Sequence, residues 1–225
     1  MSRIDDQTSD PVDSQQPSTV ASDPLVGPDP RPRISIALER LTRPIDRLFN
    51  AVYGTKWNPL YKSGTLSVLF ILAALLSGIY LFLLYELADP YGSVARLDAT
   101  WLGSFMRSIH RYSADLAVIA AAIHALRILV SGRTWGPRAL AWISGLLLLG
   151  TLLLCGWTGL VMAWDVQGQL IAVEGARWLD LVPLFSEPIS RTFSRPDAVG
   201  RAFFFMNLFL HVALPLGLAG LFWLH

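Results

Sequence analysis

Four long apolar runs constrain this chain more than any other feature. Thr65 to Tyr85 and Leu140 to Ala163 carry no charge, and Phe203 to His225 carries none apart from its histidines; Phe105 to Val130 contains Arg107, Arg111, Asp115 and Arg127. A bilayer core about 30 Å thick needs roughly 20 helical residues, so each run is long enough to span it. Lipid offers no partner for free backbone amides and carbonyls, which makes helices the expected form. The expected fold is all-α and membrane-integral: a four-helix transmembrane bundle with spans at 65–85, 105–130, 140–163 and 203–225. Charge usage agrees. Of 35 charged residues, 16 precede position 63 and 19 are spread over the other 163 positions. A soluble one-domain enzyme would not be so charge-poor over its last two-thirds. A net charge of +1 gives no general attraction to nucleic acid, and no such partner is expected.

Two segments precede the bundle. Residues 1–32 are rich in Ser, Asp, Gln and Pro, which offer too little apolar surface to offset the entropy of ordering. A disordered tail is expected there, and the absence of an apolar h-region argues against a signal peptide. Residues 33–62 interleave Ile36, Leu38, Leu41, Ile45, Leu48 and Val52 with Arg33, Arg40, Arg43 and Arg47. This reads as a basic amphipathic helix on a membrane surface, kinked or divided at Pro44. The bundle domain then covers 63–225. Residues 31–62 hold seven Lys or Arg against two acids, and the loop after the second run adds Arg133 and Arg138; the loop after the first run holds Glu86, Asp89 and Asp98 against Arg96. By the positive-inside rule the N-terminus faces the cytoplasm, and the first and third loops face outward. In the third loop the segment WLDLVPLF suggests short interfacial helices.

The only four histidines sharpen this picture. His110 and His124 lie 14 apart in the second run, and His211 and His225 lie 14 apart in the fourth. Fourteen residues make 3.9 turns, so each pair lies nearly on one face with about 21 Å between its members. The second and fourth helices run in the same direction. His110 and His211 therefore share an outer level, and His124 and His225 an inner one. Two imidazoles facing each other across a bundle are what a bis-histidine haem iron needs, and with both axial positions filled the iron is suited to electron transfer. Two haem b groups held non-covalently at two depths would form an electron path across the membrane.

The glycines repeat the same interval. Gly64 and Gly78 lie 14 apart in the first helix, and Gly145 and Gly159 lie 14 apart in the third. A flat macrocycle between the second and fourth helices would press on the first and third, and a residue without a side chain permits that approach. Arg111 and Arg127 follow the histidines of the second helix closely and are candidates to pair with the haem carboxylates. Asp115 is read first as a structural ion-pair partner. A single cysteine, Cys155, provides neither an internal disulfide nor a CxxCH attachment site. A haem-free proton- or ion-conducting bundle that uses the histidines and Asp115 as a relay stays open as an alternative, as does a membrane anchor for a soluble oxidoreductase.

From about Trp57 to His225 the chain resembles the N-terminal, haem-binding half of the cytochrome b family of bc1- and b6f-type complexes, in a divergent bacterial branch. The marks are the Gly64/Gly78 pair, "SIHRYSADLAVIAAAIHALR", "WISG" with Gly159, and "LHVALPLGLAGLFWLH". The resemblance implies a low-potential haem at His110 and His211 and a high-potential haem at His124 and His225. It also implies quinone or quinol chemistry, a c-type cytochrome or iron–sulfur partner, dimerisation, and residence in a bacterial cytoplasmic membrane. The chain departs from the pattern where the family has PW(G/D)Q. Here it reads "MAWDVQGQ", with Ala163 in place of proline. The PEWY segment and much of the inner quinone pocket belong to a C-terminal half, expected beyond residue 225 or on a separate chain.

Overall fold

A computed structural model describes residues 33–132, 134, 138–182, 187–194 and 199–225. The expected disordered tail (1–32) lies outside the described residues, as do Arg133 and the end of WLDLVPLF. In chain order the helices are α1 (Arg33–Trp57), α2 (Ser63–Leu84), α3 (Pro90–Asp98), α4 (Trp101–Val130), α5 (Ala139–Ala163), α6 (Val166–Asp180) and α7 (Arg201–Leu224), with a 3-10 turn at Ile189–Ser194 between α6 and α7. No strand occurs among the described residues. Helices α2, α4, α5 and α7 are the four expected spans, each long and apolar enough to cross a membrane.

The bundle is built from two helix pairs, α2 on α4 and α5 on α7, joined where α4 meets α5. Its inside and outside are reversed relative to a water-soluble bundle. Large apolar side chains such as Leu69, Leu83 and Leu153 point outward, while Ser63, Ser67, Ser77, Ser113, Ser144, Thr158 and Asn207 are buried. This distribution suits lipid. Helices there gain little from burying aliphatic groups against each other, and associate through small residues and interhelical hydrogen bonds. Two such bonds are Ser67 Oγ donating to the Ala117 carbonyl at 3.1 Å and Asn207 Nδ2 donating to the Thr158 carbonyl at 2.9 Å.

The apolar core is small and specifically placed. Ala117, Leu152 and Leu218 are buried together, with Ile71 packed against them. Each lies seven residues from the histidines or glycines of its own helix, so this layer fills the bundle midway between the two histidine levels.

The connecting elements differ from the sequence reading in three ways. Helix α1 runs through Pro44 undivided and leaves helical geometry only at Gly54, at φ 69°. Pro44 is exposed, so water can bond the carbonyl that the missing amide leaves free. The first loop contains α3, which the sequence reading left out. Its start is marked by Asp89–Pro90: the Asp89 carboxylate accepts from the Gly92 amide at 3.0 Å, and proline opens the first turn. The third loop begins with a 15-residue helix, α6, in which Trp178 to Asp180 form the last turn. It lies on α5, where Trp157 Nε1 donates to the Ile171 carbonyl at 2.9 Å and the side-chain-free face of Gly175 receives the indole.

Candidate functional site

The four histidines meet in the two pairs that their spacing predicts. The ring centres of His110 on α4 and His211 on α7 are 6.0 Å apart, with planes at 66°. Those of His124 and His225 are 6.4 Å apart, with planes at 72°. An imidazole nitrogen binds a first-row metal at about 2.0–2.1 Å, and its ring centre lies about 1.1 Å further back, so two rings on opposite sides of one iron have centres about 6.2–6.4 Å apart. The His124/His225 pair falls in that range, and the His110/His211 pair lies just below it. Among the described residues no group of three or more His, Cys, Asp or Glu could hold a metal. Each level offers two imidazoles from two helices, a donor set that fits an iron whose other ligands come from a macrocycle and does not fit a tetrahedral ion.

Each glycine proves to be the seat of one histidine. A Cβ built on Gly78 would stand 3.0 Å from His110 Cε1, and one on Gly159 would stand 2.8 Å from His211 Cε1. At the other level, a Cβ on Gly64 would meet His124 at 3.0 Å and one on Gly145 would meet His225 at 3.0 Å. Helices α2 and α5 therefore flank the imidazoles from behind. The glycine period predicts room for a macrocycle; in the structure each glycine accommodates an imidazole ring.

Local chemistry fixes which nitrogen turns away in three of the four rings. His110 Nδ1 lies 2.8 Å from the Ala74 carbonyl, and His211 Nδ1 lies 3.0 Å from the Cys155 carbonyl. His225 Nδ1 lies 3.1 Å from Ser144 Oγ. With a proton on Nδ1 donated to the neighbouring helix, Nε2 is the nitrogen available to a metal. Pro215 contributes to the same arrangement. It stands four residues after His211 and lacks the amide that would bond the His211 carbonyl. The Cys155 thiol donates to that carbonyl, with Sγ at 3.8 Å. The Leu-His-x-x-Leu-Pro motif and the single cysteine are thus coupled.

The two arginines are engaged elsewhere. Arg111 Nε donates to Asp115 at 3.1 Å on the exposed face of α4, the structural pairing expected of Asp115. Arg127 donates to Asp46 of α1 at 2.7 Å and stacks over the Tyr61 ring, with its guanidinium carbon 4.3 Å from the ring centroid. Arg107 pairs with Asp98. The contact of Arg127 with Asp46 and Tyr61 joins α4 to the amphipathic segment. The network continues through Tyr61 and Asn50 to Asn58, which is fully buried. Sequence reasoning missed this clamp, because nothing in the spacing of Asp46 and Arg127 places them together.

Outside the histidine levels, an apolar cavity of about 560 Å³ lies between α5 and α6, lined by residues that include Leu147, Gly150, Leu154, Trp157 and Trp178.

Long apolar helices enclosing paired, inward-facing imidazoles at two depths define a membrane electron-transfer bundle as the class of protein. The family model described as cytochrome b/b6/petB matches residues 50–225, and the chain belongs to this family. As a cytochrome b it is a haem b protein of the membrane. It is 28% identical over 170 residues to the "Menaquinol:cytochrome c reductase cytochrome b subunit" of Bacillus subtilis (strain 168), covering 72% of this chain and 75% of that protein. It is 27% identical over 172 residues to a cytochrome b6 of Synechocystis (75% and 78% covered), and 32% identical over 114 residues to that of Gloeobacter violaceus (49% and 53% covered).

Proposed function

We propose that this chain carries electrons across the membrane as the cytochrome b subunit of a quinol-oxidising, bc-type complex. The observation that carries the proposal is the pairing of His110 with His211 and of His124 with His225, each imidazole backed by a glycine. In this reading each pair would hold the iron of one haem b, two per chain. Haem b provides one-electron chemistry at iron. The residues do the rest. The four histidines hold the iron positions, and Gly64, Gly78, Gly145 and Gly159 leave room for ring and macrocycle. The apolar layer of Ala117, Leu152 and Leu218 keeps water from the space between the levels. Arg111 and Arg127 serve the haem carboxylates only by sharing or leaving Asp115 and Asp46.

Names of the relatives support the wider setting: menaquinol as reductant and a c-type cytochrome as oxidant. An iron–sulfur subunit, a separate C-terminal cytochrome b half and a second copy of the chain complete the proposed assembly. The N-terminus and the α4–α5 loop lie on the cytoplasmic side, and the His110/His211 level lies outward. Helix α1 lies on the membrane surface with Leu41, Leu48 and Val52 toward lipid; all three are exposed. Reduced-minus-oxidised spectra and pyridine haemochrome assays of the purified protein test this. A b-type α band with two haems per chain is expected; a preparation that takes up no haem b overturns the reading.

A further inference from the structure

Each of the four histidine-backing glycines is preceded by a hydroxyl residue: Ser63–Gly64, Ser77–Gly78, Ser144–Gly145 and Thr158–Gly159. All four hydroxyl residues are buried. On α5 they touch the histidines directly. Ser144 Oγ is 3.1 Å from His225 Nδ1, and Thr158 Oγ1 is 3.1 Å from His211 Nδ1. The two contacts differ in kind. Ser144 donates its own proton to the Ala141 carbonyl at 3.1 Å, so its oxygen is the acceptor for His225. Of the two carbonyls within reach of the Thr158 hydroxyl, Leu154 at 3.1 Å and Cys155 at 2.9 Å, the nearer is the same oxygen that His211 Nδ1 approaches at 3.0 Å. Ser144 therefore supplies an acceptor, whereas Thr158 competes for one.

We propose that Ser144 and Thr158 are positioning residues that orient His225 and His211 and set the electron affinity of the two levels separately, in opposite directions. This rests on the bis-histidine haem reading above. Donation from Nδ1–H to an acceptor makes an imidazole a more basic ligand, which favours the oxidised metal. Removing the Ser144 hydroxyl takes an acceptor from His225, and the midpoint potential of the His124/His225 level rises. Removing the Thr158 hydroxyl frees the Cys155 carbonyl for His211, and the midpoint of the His110/His211 level falls. Gly145 and Gly159 make this possible, because only a residue without Cβ lets each ring lie close enough for a hydroxyl one position earlier to reach Nδ1.

The test is a redox titration of the intact complex in membranes, followed at the α bands, for Ser144→Ala and Thr158→Val. Electron paramagnetic resonance of the oxidised low-spin iron reads ligand orientation alongside it. Each variant is expected to move one midpoint and one set of g values: upward for Ser144→Ala, downward for Thr158→Val, on different haems. Ser144→Thr and Thr158→Ser are expected to restore wild-type values. Midpoints and g values unmoved in both variants, with both haems retained, overturn the proposal; so do shifts of the same haem or of the same sign. If a variant loses a haem, its retention in the corresponding hydroxyl replacement supports the proposal, and its loss there too overturns it. A wild-type chain lacking two b-type components would instead overturn the proposed function itself.

Discussion

Gly159 and His211 are in contact so close that a single methyl group has no room between them. A Cβ on Gly159 would stand 2.8 Å from His211 Cε1, whereas one on Gly150 of the same helix would meet nothing within 4 Å. Gly159→Ala is therefore expected to displace His211, destabilise the bundle by about 1–3 kcal/mol and deplete any haem held at the His110/His211 level. Gly150→Ala is expected to leave haem content and thermal stability unchanged or slightly raised. Haemochrome assay and thermal unfolding of both variants check this; equal behaviour would contradict it.

The histidine pairs predict selective loss. His110→Leu or His211→Leu should halve the haem content and remove one of the two α-band components, leaving the His124/His225 component in place. His124→Leu should do the converse. The two levels sit about 21 Å apart along their helices with an apolar layer between them, so each site should survive removal of the other.

The clamp between α1 and α4 is testable without haem. Arg127 and Asp46 are 31% and 25% exposed, placing their ion pair between a surface pair and a buried one. Asp46→Asn or Arg127→Leu is expected to cost about 1–2 kcal/mol. Arg127→Leu should cost more, since it also removes the stacking on Tyr61. Thermal unfolding in detergent, run as a double-mutant cycle, would give a coupling near zero if the pair contributes nothing.

Acid pH should loosen α3. Asp89 is held below the usual carboxylate range, first by the hydrogen bond from Arg96 and then by the Gly92 amide. A carboxyl with a lowered folded-state pKa contributes stability above its unfolded pKa, and that contribution is lost as pH falls through the folded value. Amide exchange at Gly92 and Ser93 should therefore show weakening protection below about pH 4, where an ordinary Asp titrates. Asp89→Asn should flatten this dependence.

Four spans, two histidine levels and the glycine period were legible in the sequence, because helical geometry converts intervals of 14 residues into faces and depths without reference to any neighbour. The spans came out within a few residues of their expected limits, as predominantly apolar runs of that length admit little else in lipid. Helix α3 was legible in principle from Asp89–Pro90, and α6 only partly from its apolar end. Which helix backs which histidine was decided by the tertiary structure alone. It set α2 behind α4 and α5 behind α7, put Ser144 and Thr158 against ring nitrogens 81 and 53 residues away, and drew Arg127 to Asp46. Those contacts depend on rotation and crossing of packed helices, which a one-dimensional period leaves free until close packing selects one arrangement.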